Sequence, residues 1–346
     1  KFIDKNYTKH TNNQEVRCII DILNLLSYKV YLIDKSCADI PKDLIKQKVD
    51  LFIGIDGSGG GRFFFKHLDN LNALRNIIIM TVQPPNLIRK RLSRREKHRI
   101  KNLKINEPYS RIIKEEEESN FKNNIHKVDL LLYPDTSDQE VIDELNKIKV
   151  TRRRLNWSTF DTVQKLDRKN DGNIEFICMC GSDPIRKGVD YVIETFSKLP
   201  YKVNILSPDS KQIIKLLDFY NCKNIQYIGF VDISSEKFKE LAFNAKYCLN
   251  FSAMEGCATS QLHLMKTGLV PIIDKDAGQL DYNCGLIIDV LTNSVEEIGN
   301  QISEFVENMS WKDYKSQSSI ASEFVNKKWH LENYRSDFIG AINQEN

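Results

Sequence analysis

Apolar positions recur along this chain in two alternating patterns. In 15-EVRCIIDILNLL-26, Val16, Ile19, Ile20 and Leu23 follow the three- and four-residue spacing of a helix that buries one face. Short, predominantly apolar runs lie between such segments: 29-KVYLI-33, 49-VDLFIGI-55, 76-NIIIMTV-82 and 128-VDLLLYP-134. The second half repeats the alternation with strands at 174–180, 201–207, 224–230, 246–251, 270–274 and 285–289. Helices such as 187-KGVDYVIETFSKL-199 and 234-SSEKFKELAFNA-245 fall between them, and more follow from about residue 294. Apolar strands separated by helices form parallel sheets covered on both faces. The polar stretch 151-TRRRLNWSTFDTVQKLDRKNDGN-173 ends in Asn-Asp-Gly-Asn and reads as a linker.

The expected fold class is therefore α/β, with two Rossmann-like domains facing a cleft. Their expected bounds are 1–165 and 166–325, with a C-terminal helix at about 326–346 packing back on the first. Ligands of such sheets bind outside the carboxyl ends of the strands.

Composition narrows the class. The 346 residues are enough for two domains, and 41% hydrophobic with 28% charged residues is ordinary for a globular chain. A net charge of +3 is too small to imply nucleic acid by itself. No apolar run approaches the roughly 18 residues of a membrane span. No secretory pattern opens the sequence, although Lys1 rather than Met stands first, which leaves a longer protein open. The eight cysteines lie at 18, 37, 178, 180, 222, 248, 257 and 284, without recurring CxxC pairs. That spacing suits free buried thiols in a reducing cytoplasm and gives no metal-ligand cluster.

Residues 86–105 change the picture locally, with nine Lys or Arg against one acid, Glu96, and four glutamates following at 115–118. A solvated helix balanced by that acidic run is one reading. A foothold on an anionic membrane surface, peripheral at the inner face, is another. Nucleic acid is disfavoured because no aromatic residues interleave the charges.

Candidate chemistry concentrates in 255-EGCATSQLHLMKTGLVPIID-274, where a strand turns into a helix. Amides and the helix dipole at such a turn attract anions. Thr259 and Ser260 add hydroxyls, and Gly256 permits close approach to the main chain. Leu262, Met265 and Leu269 read as core, whereas His263, four residues after Thr259, is expected on the cleft side. Glu255 can accept hydrogen bonds from hydroxyls. A capped turn with a surface acid is the plainer alternative. In 181-GSDPIRKGVDY-191, Arg186 and Lys187 stand at a helix start, where the dipole disfavours cations unless an anion is near.

These motifs carry a resemblance. Gly181 to Gly188 (G-x5-K-G), 227-YIGFVD-232 and 251-FSAMEG-256 occur in the order found in GT-B-fold glycosyltransferases of family 4 type (glycosyltransferases group 1). Residues 255–274 resemble that family's stretch E-G-x6-E-A-M-x2-G-x-P-V-I, with Met265, Gly268 and Pro271 at its spacing. The resemblance covers roughly 174–290 and, in layout only, the N-terminal half, including 10-HTNNQEV-16. It implies transfer of a sugar, with retention, from a nucleotide-diphospho-sugar to a glycan or lipid-linked acceptor in cell-surface polysaccharide synthesis, with no cofactor and no metal. It assigns Lys187 and Glu255 the catalytic work, with Arg186, Ser182, Gly256, Cys257, Ala258, Thr259, Ser260 and His263 on the donor. Two departures stand out: His263 replaces an acid, and Ser182 replaces an arginine. They keep open a GT-B protein of weak or lost catalysis that acts as a binding partner. A nucleotide-sugar epimerase is a further alternative.

The loop 56-DGSGGGRFFF-65 lacks the spacing of a dinucleotide fingerprint and the ending of a P-loop. Gly59, Gly60 and Gly61 are expected on the acceptor or sugar side if they hold a ligand at all. His10 is expected there too, with a capping or surface role as its alternative.

Overall fold

The computed structural model describes residues 11–33, 39–56, 62–81, 83–110, 112–169, 172, 174–256, 258–278 and 281–343. The chain divides into two compact units. One holds the residues up to Lys90, Ile113–Ser158 and those from Leu331 onward; the other holds Arg91–Ile112 and Thr159–His330. The chain thus passes between units at 158/159, seven positions before the expected 165/166, and residues 91–112 cluster with the second unit.

In chain order the first unit contains α1 (Thr11–Leu25), α2 (Lys42–Ile45), β1 (Lys48–Asp56), α3 (Arg62–Leu68), β2 (Asn72–Met80) and the start of α4 (Pro85–Asn102). It continues with α5 (Glu115–Asn124), β3 (Leu130–Tyr133), α6 (Gln139–Asn146) and β4 (Thr151–Arg154). The four strands form one parallel sheet in the order β1-β2-β3-β4. Its centre is the apolar run Ile77–Met80 against Leu130–Leu132, all buried. Phe64 and Phe65 of α3 pack edge-on to each other, and Phe65 does the same with Phe121 of α5.

Two sequence expectations change here. The run 29–33 is not a strand, and Tyr31 and Leu32 are exposed. Among the described residues β1 is the edge strand on that side of the sheet, so an apolar run alone did not secure a strand partner. Conversely, the polar Thr151–Arg154, expected in the linker, is the opposite edge strand, in register with Leu130–Tyr133. An edge strand needs backbone partners on one side only and tolerates basic side chains.

The second unit contains β5 (Glu175–Met179), α7 (Val189–Phe196), β6 (Lys202–Leu206), α8 (Lys211–Tyr220), β7 (Ile225–Gly229), α9 (Glu236–Asn244) and β8 (Tyr247–Asn250). Then come α10 (Thr259–Lys266), β9 (Val270–Asp274), β10 (Leu286–Ile288), α11 (Val295–Glu307) and α12 (Trp311–Lys328). Its six strands are all parallel, in the order β10-β9-β8-β5-β6-β7. Phe176 lies at the middle of the core, with rings of Phe196 and Tyr247 at 4.8 and 5.1 Å. The last helix, α13 (Leu331–Asn343), belongs to the first unit and packs on α1. Cys18, Ile19, Ile22 and Leu23 of α1 and Tyr334, Phe338 and Ala341 of α13 are buried.

The basic segment is neither wholly solvated nor wholly available to an anionic surface. Arg91, Arg95 and Arg99 recur every fourth residue on α4, and all three are buried. Arg91 pairs with Asp276 at 3.9 Å, Arg95 with Asp274, and Arg99 with Asp190 at 2.5 Å. The opposite side of α4 carries exposed Arg89, Lys90, Lys97 and Lys101. Arg89 meets Glu118 of the acidic run at 2.6 Å, and Lys90 meets Glu140 at 3.1 Å. Among the described residues no helix is long and apolar enough to cross a membrane. The six described cysteines are free thiols.

Candidate active site

β5 and β8 are neighbours in the middle of the second sheet and run parallel, so the loops leaving their carboxyl ends emerge side by side. The loop after β5 ends at Gly188, which precedes α7 with φ +76°. A Cβ there would come within 2.1 Å of the Phe251 carbonyl oxygen. Only glycine combines that φ with so close a backbone approach. The Ala253 N–H donates to the Arg186 carbonyl at 3.3 Å, tying the two loops together.

This contact brings together the two residues that the sequence singled out most strongly. Lys187 Nζ makes an ion pair with Glu255 Oε1, and their side chains are 21% and 9% exposed. A pair so sheltered is screened far less by salt than a surface pair. Arg186, on the same loop, pairs with Asp183 at 3.2 Å and reaches the Met254 sulfur at 3.9 Å. Asp183 adopts φ +66°, and its other carboxylate oxygen accepts the Ser110 N–H at 3.1 Å. Ser182 is exposed beside them.

The segment after β8 is organised by Ser252. Its hydroxyl donates to the Met254 carbonyl at 3.1 Å and accepts the Met254 N–H at 3.4 Å. Gly256 and Ala258 are buried, and Ala258 precedes α10 without a side-chain cap. First-turn amides of a helix have no intrahelical acceptor, and the dipole adds positive potential there. Thr259 and Ser260, half-buried, add hydroxyls at this end. Cys257, His10, Gly59, Gly60 and Gly61 lie outside the described residues.

His263 departs from its expected place. Its ring is fully buried rather than facing a cleft. Nε2 accepts the Phe160 N–H at 2.9 Å, which leaves the proton on Nδ1 to be donated to the Thr259 carbonyl at 2.6 Å. Both ring nitrogens are therefore spent on backbone. Burial, with a smaller contribution from Lys266, pushes its pKa down to about 4, so the imidazole is neutral. The physical reason is that α10 is enclosed all round: Gln261 through Lys266 are all buried. Spacing correctly places residues 259 and 263 on one side of the helix but does not say what covers that side.

Several supporting residues carried no sequence signal. Lys266, buried, donates to the Phe160 carbonyl at 2.8 Å and to the Thr159 hydroxyl at 3.3 Å. Burial lowers its pKa. The loop after β9 approaches the site closely: a Cβ on Gly278, at φ +99°, would fall 2.7 Å from the Glu255 carbonyl oxygen. Among the described residues no group of three or more His, Cys, Asp or Glu side chains could hold a metal ion.

Two parallel α/β sheets, with loops converging after adjacent central strands of the second, define a protein of the GT-B fold. Solved structures place it there. The chain superposes on WaaG, a glycosyltransferase involved in lipopolysaccharide biosynthesis, with a TM-score of 0.64 at 14% identity, covering 96% of both chains. Sucrose-phosphate synthase from Thermosynechococcus elongatus gives 0.65 at 13% identity, over 85% of this chain and 73% of that one. A variant of S. aureus TarM in complex with UDP gives 0.58 at 14%, over 84% of this chain. The chain spans 55% of that protein's length. At such identities the likeness is one of fold. The sequence matches no family model and no curated protein.

Proposed function

We propose that this chain is a glycosyltransferase that binds a nucleotide-diphospho-sugar at the loops following β5 and β8. The observation that carries this reading is the Lys187–Glu255 pair, held at the carboxyl ends of two central parallel strands. A diphosphate arriving there would compete with Glu255 for the Lys187 ammonium. Glu255, so released, would accept hydrogen bonds from the donor sugar's hydroxyls. As the bond from the sugar's anomeric carbon to the phosphate oxygen breaks, charge grows on the leaving diphosphate. Lys187, Arg186 and the amides at the start of α10 are the groups placed to stabilise it. Of the comparison proteins, the TarM variant holds UDP, which favours a uridine diphosphate as the first ligand to try. In this reading transfer proceeds with retention to a glycan or lipid-linked acceptor in cell-surface polysaccharide assembly, as the sequence resemblance implies.

The test is a thermal-shift panel of nucleoside diphosphates on wild type and Lys187→Ala. A diphosphate at about a hundred times its dissociation constant adds about 2.7 kcal/mol of stability to wild type. The variant is expected to lose that shift. If no diphosphate moves wild type at millimolar concentration, the reading fails.

A second reading has its own observation. His263, the one acid-to-histidine departure within 255–274, offers no ring nitrogen to a ligand. That favours a GT-B protein of weak or absent catalysis acting as a binding partner. It predicts diphosphate binding without sugar transfer, and a cellular role that survives Glu255→Ala.

A further inference from the structure

The buried arginines of α4 find no use in the function just described, and their partners are not scattered. Asp190 is in the first turn of α7, three residues after Lys187. Its carboxylate accepts from Arg99 Nε at 2.5 Å. Arg99 also donates to the Glu107 carbonyl and to Glu96, each at 2.5 Å, and stacks over Tyr109 at 4.8 Å. Asp274 ends β9, and Asp276 follows in the loop whose Gly278 abuts the Glu255 backbone. Asp274 accepts from Arg95 and from the Val290 N–H, the latter at 3.2 Å. Arg91 donates to the Asp276 carbonyl at 3.4 Å, beside its ion pair with that carboxylate. One helix face thus fastens the segment that follows Lys187 and also the loop that backs Glu255.

Charge and burial make these fastenings stiff. The three arginines and three aspartates are all within 5% of full burial. Arg95 Nε and Nη1 have no hydrogen-bond partner among the described residues, and its guanidinium lies 5.0 Å over the Tyr191 ring. Asp274 is then its principal compensation, and each charge is costly to bury without the other.

We propose that Arg91, Arg95 and Arg99 are positioning residues for the Lys187–Glu255 pair, setting its spacing through Asp276, Asp274 and Asp190. The inference rests on 181–188 and 255–260 being the donor site, but its first readout does not. That readout is acetylation of Lys187 by acetic anhydride, followed by peptide mass spectrometry against exposed Lys198 as reference. Glu255→Gln weakens the pair directly and should raise Lys187 reactivity severalfold. Arg95→Met with Asp274→Asn removes both charges together, so the fold should keep close to wild-type stability. The inference expects Lys187 reactivity to rise in this double variant as well, and Arg95→Lys to restore most of the protection. Should that double variant prove insoluble, Arg91→Met with Asp276→Asn is read in the same way. Lys187 as protected in a folded double variant as in wild type would overturn the inference, and so would no rise in Glu255→Gln. UDP titration supplies the second readout: affinity should fall about tenfold in the double variant, about 1.4 kcal/mol. A wild type that binds no nucleoside diphosphate sinks the donor-site reading and leaves the acetylation arms to decide the clamp.

Discussion

Lys187 and Glu255 stand 68 residues apart in sequence, yet the structure joins them because one glycine lets two loops touch. Gly188→Ala should therefore do more damage than an ordinary loop substitution. It adds a methyl where a carbonyl oxygen already lies and forces an unfavourable positive φ. The expected cost is on the order of 3 kcal/mol or more, read by urea unfolding, with loss of any diphosphate-induced shift. Glu255→Gln should by contrast leave stability nearly intact and lower transfer about a hundredfold, measured as initial rate with saturating donor. A stable Gly188→Ala protein with full diphosphate binding would refute the first expectation. His263 teaches the opposite lesson. Its helical spacing from Thr259 was legible, but that this side of α10 is covered depends on residues 159–161, and no local pattern reveals that.

At the scale of elements, α1 contains an acid whose role only packing discloses. Glu15 is buried, and its Oε1 accepts the Ser158 N–H at 2.8 Å. Burial pushes its pKa up to about 8 against the opposing effect of the Ser158 bonds. The folded protein thus holds a proton that the unfolded chain releases at the ordinary carboxyl value. Stability from this group is complete below the unfolded value and is lost as pH rises through the folded one. Melting followed from about pH 5 to pH 9 should show a loss on the order of 3–5 kcal/mol attributable to Glu15. Glu15→Gln should flatten that window, and an unchanged slope would count against it. The alternation of apolar strands and helices made both sheets readable from sequence, because central parallel strands must be apolar on both faces. The edge strands β1, β7 and β10 were readable as apolar runs as well, but β4 was not. Thr151–Arg154 is a strand by virtue of its backbone pairing with β3, and 29–33 is apolar without a partner. The basic stretch misled in the same way, since its three inward arginines are matched by acids 91 to 185 residues away.

For the whole molecule, charge on α4 must be counted after burial. With Arg91, Arg95 and Arg99 turned inward and Arg89 and Lys90 paired, exposed Lys97 and Lys101 are what α4 chiefly offers to an anionic lipid surface. At about 1 kcal/mol per exposed base, this helix alone gives feeble attachment. Sedimentation with phosphatidylserine vesicles should show weak binding at low salt and none at physiological salt. Strong retention at physiological salt would mean that another surface carries the contact.

The route of the chain has a further consequence. The first unit opens with α1 but is completed only by α13, after the 159–330 segment of the second unit. On a ribosome working at about 5–20 residues per second, that segment takes roughly 10–30 s to make. Throughout that interval the apolar face of α1 lacks its covering helix, so the nascent chain presents a hydrophobic stripe to whatever chaperones attend it. Of the two units, the one whose synthesis starts earlier is thus the later to close.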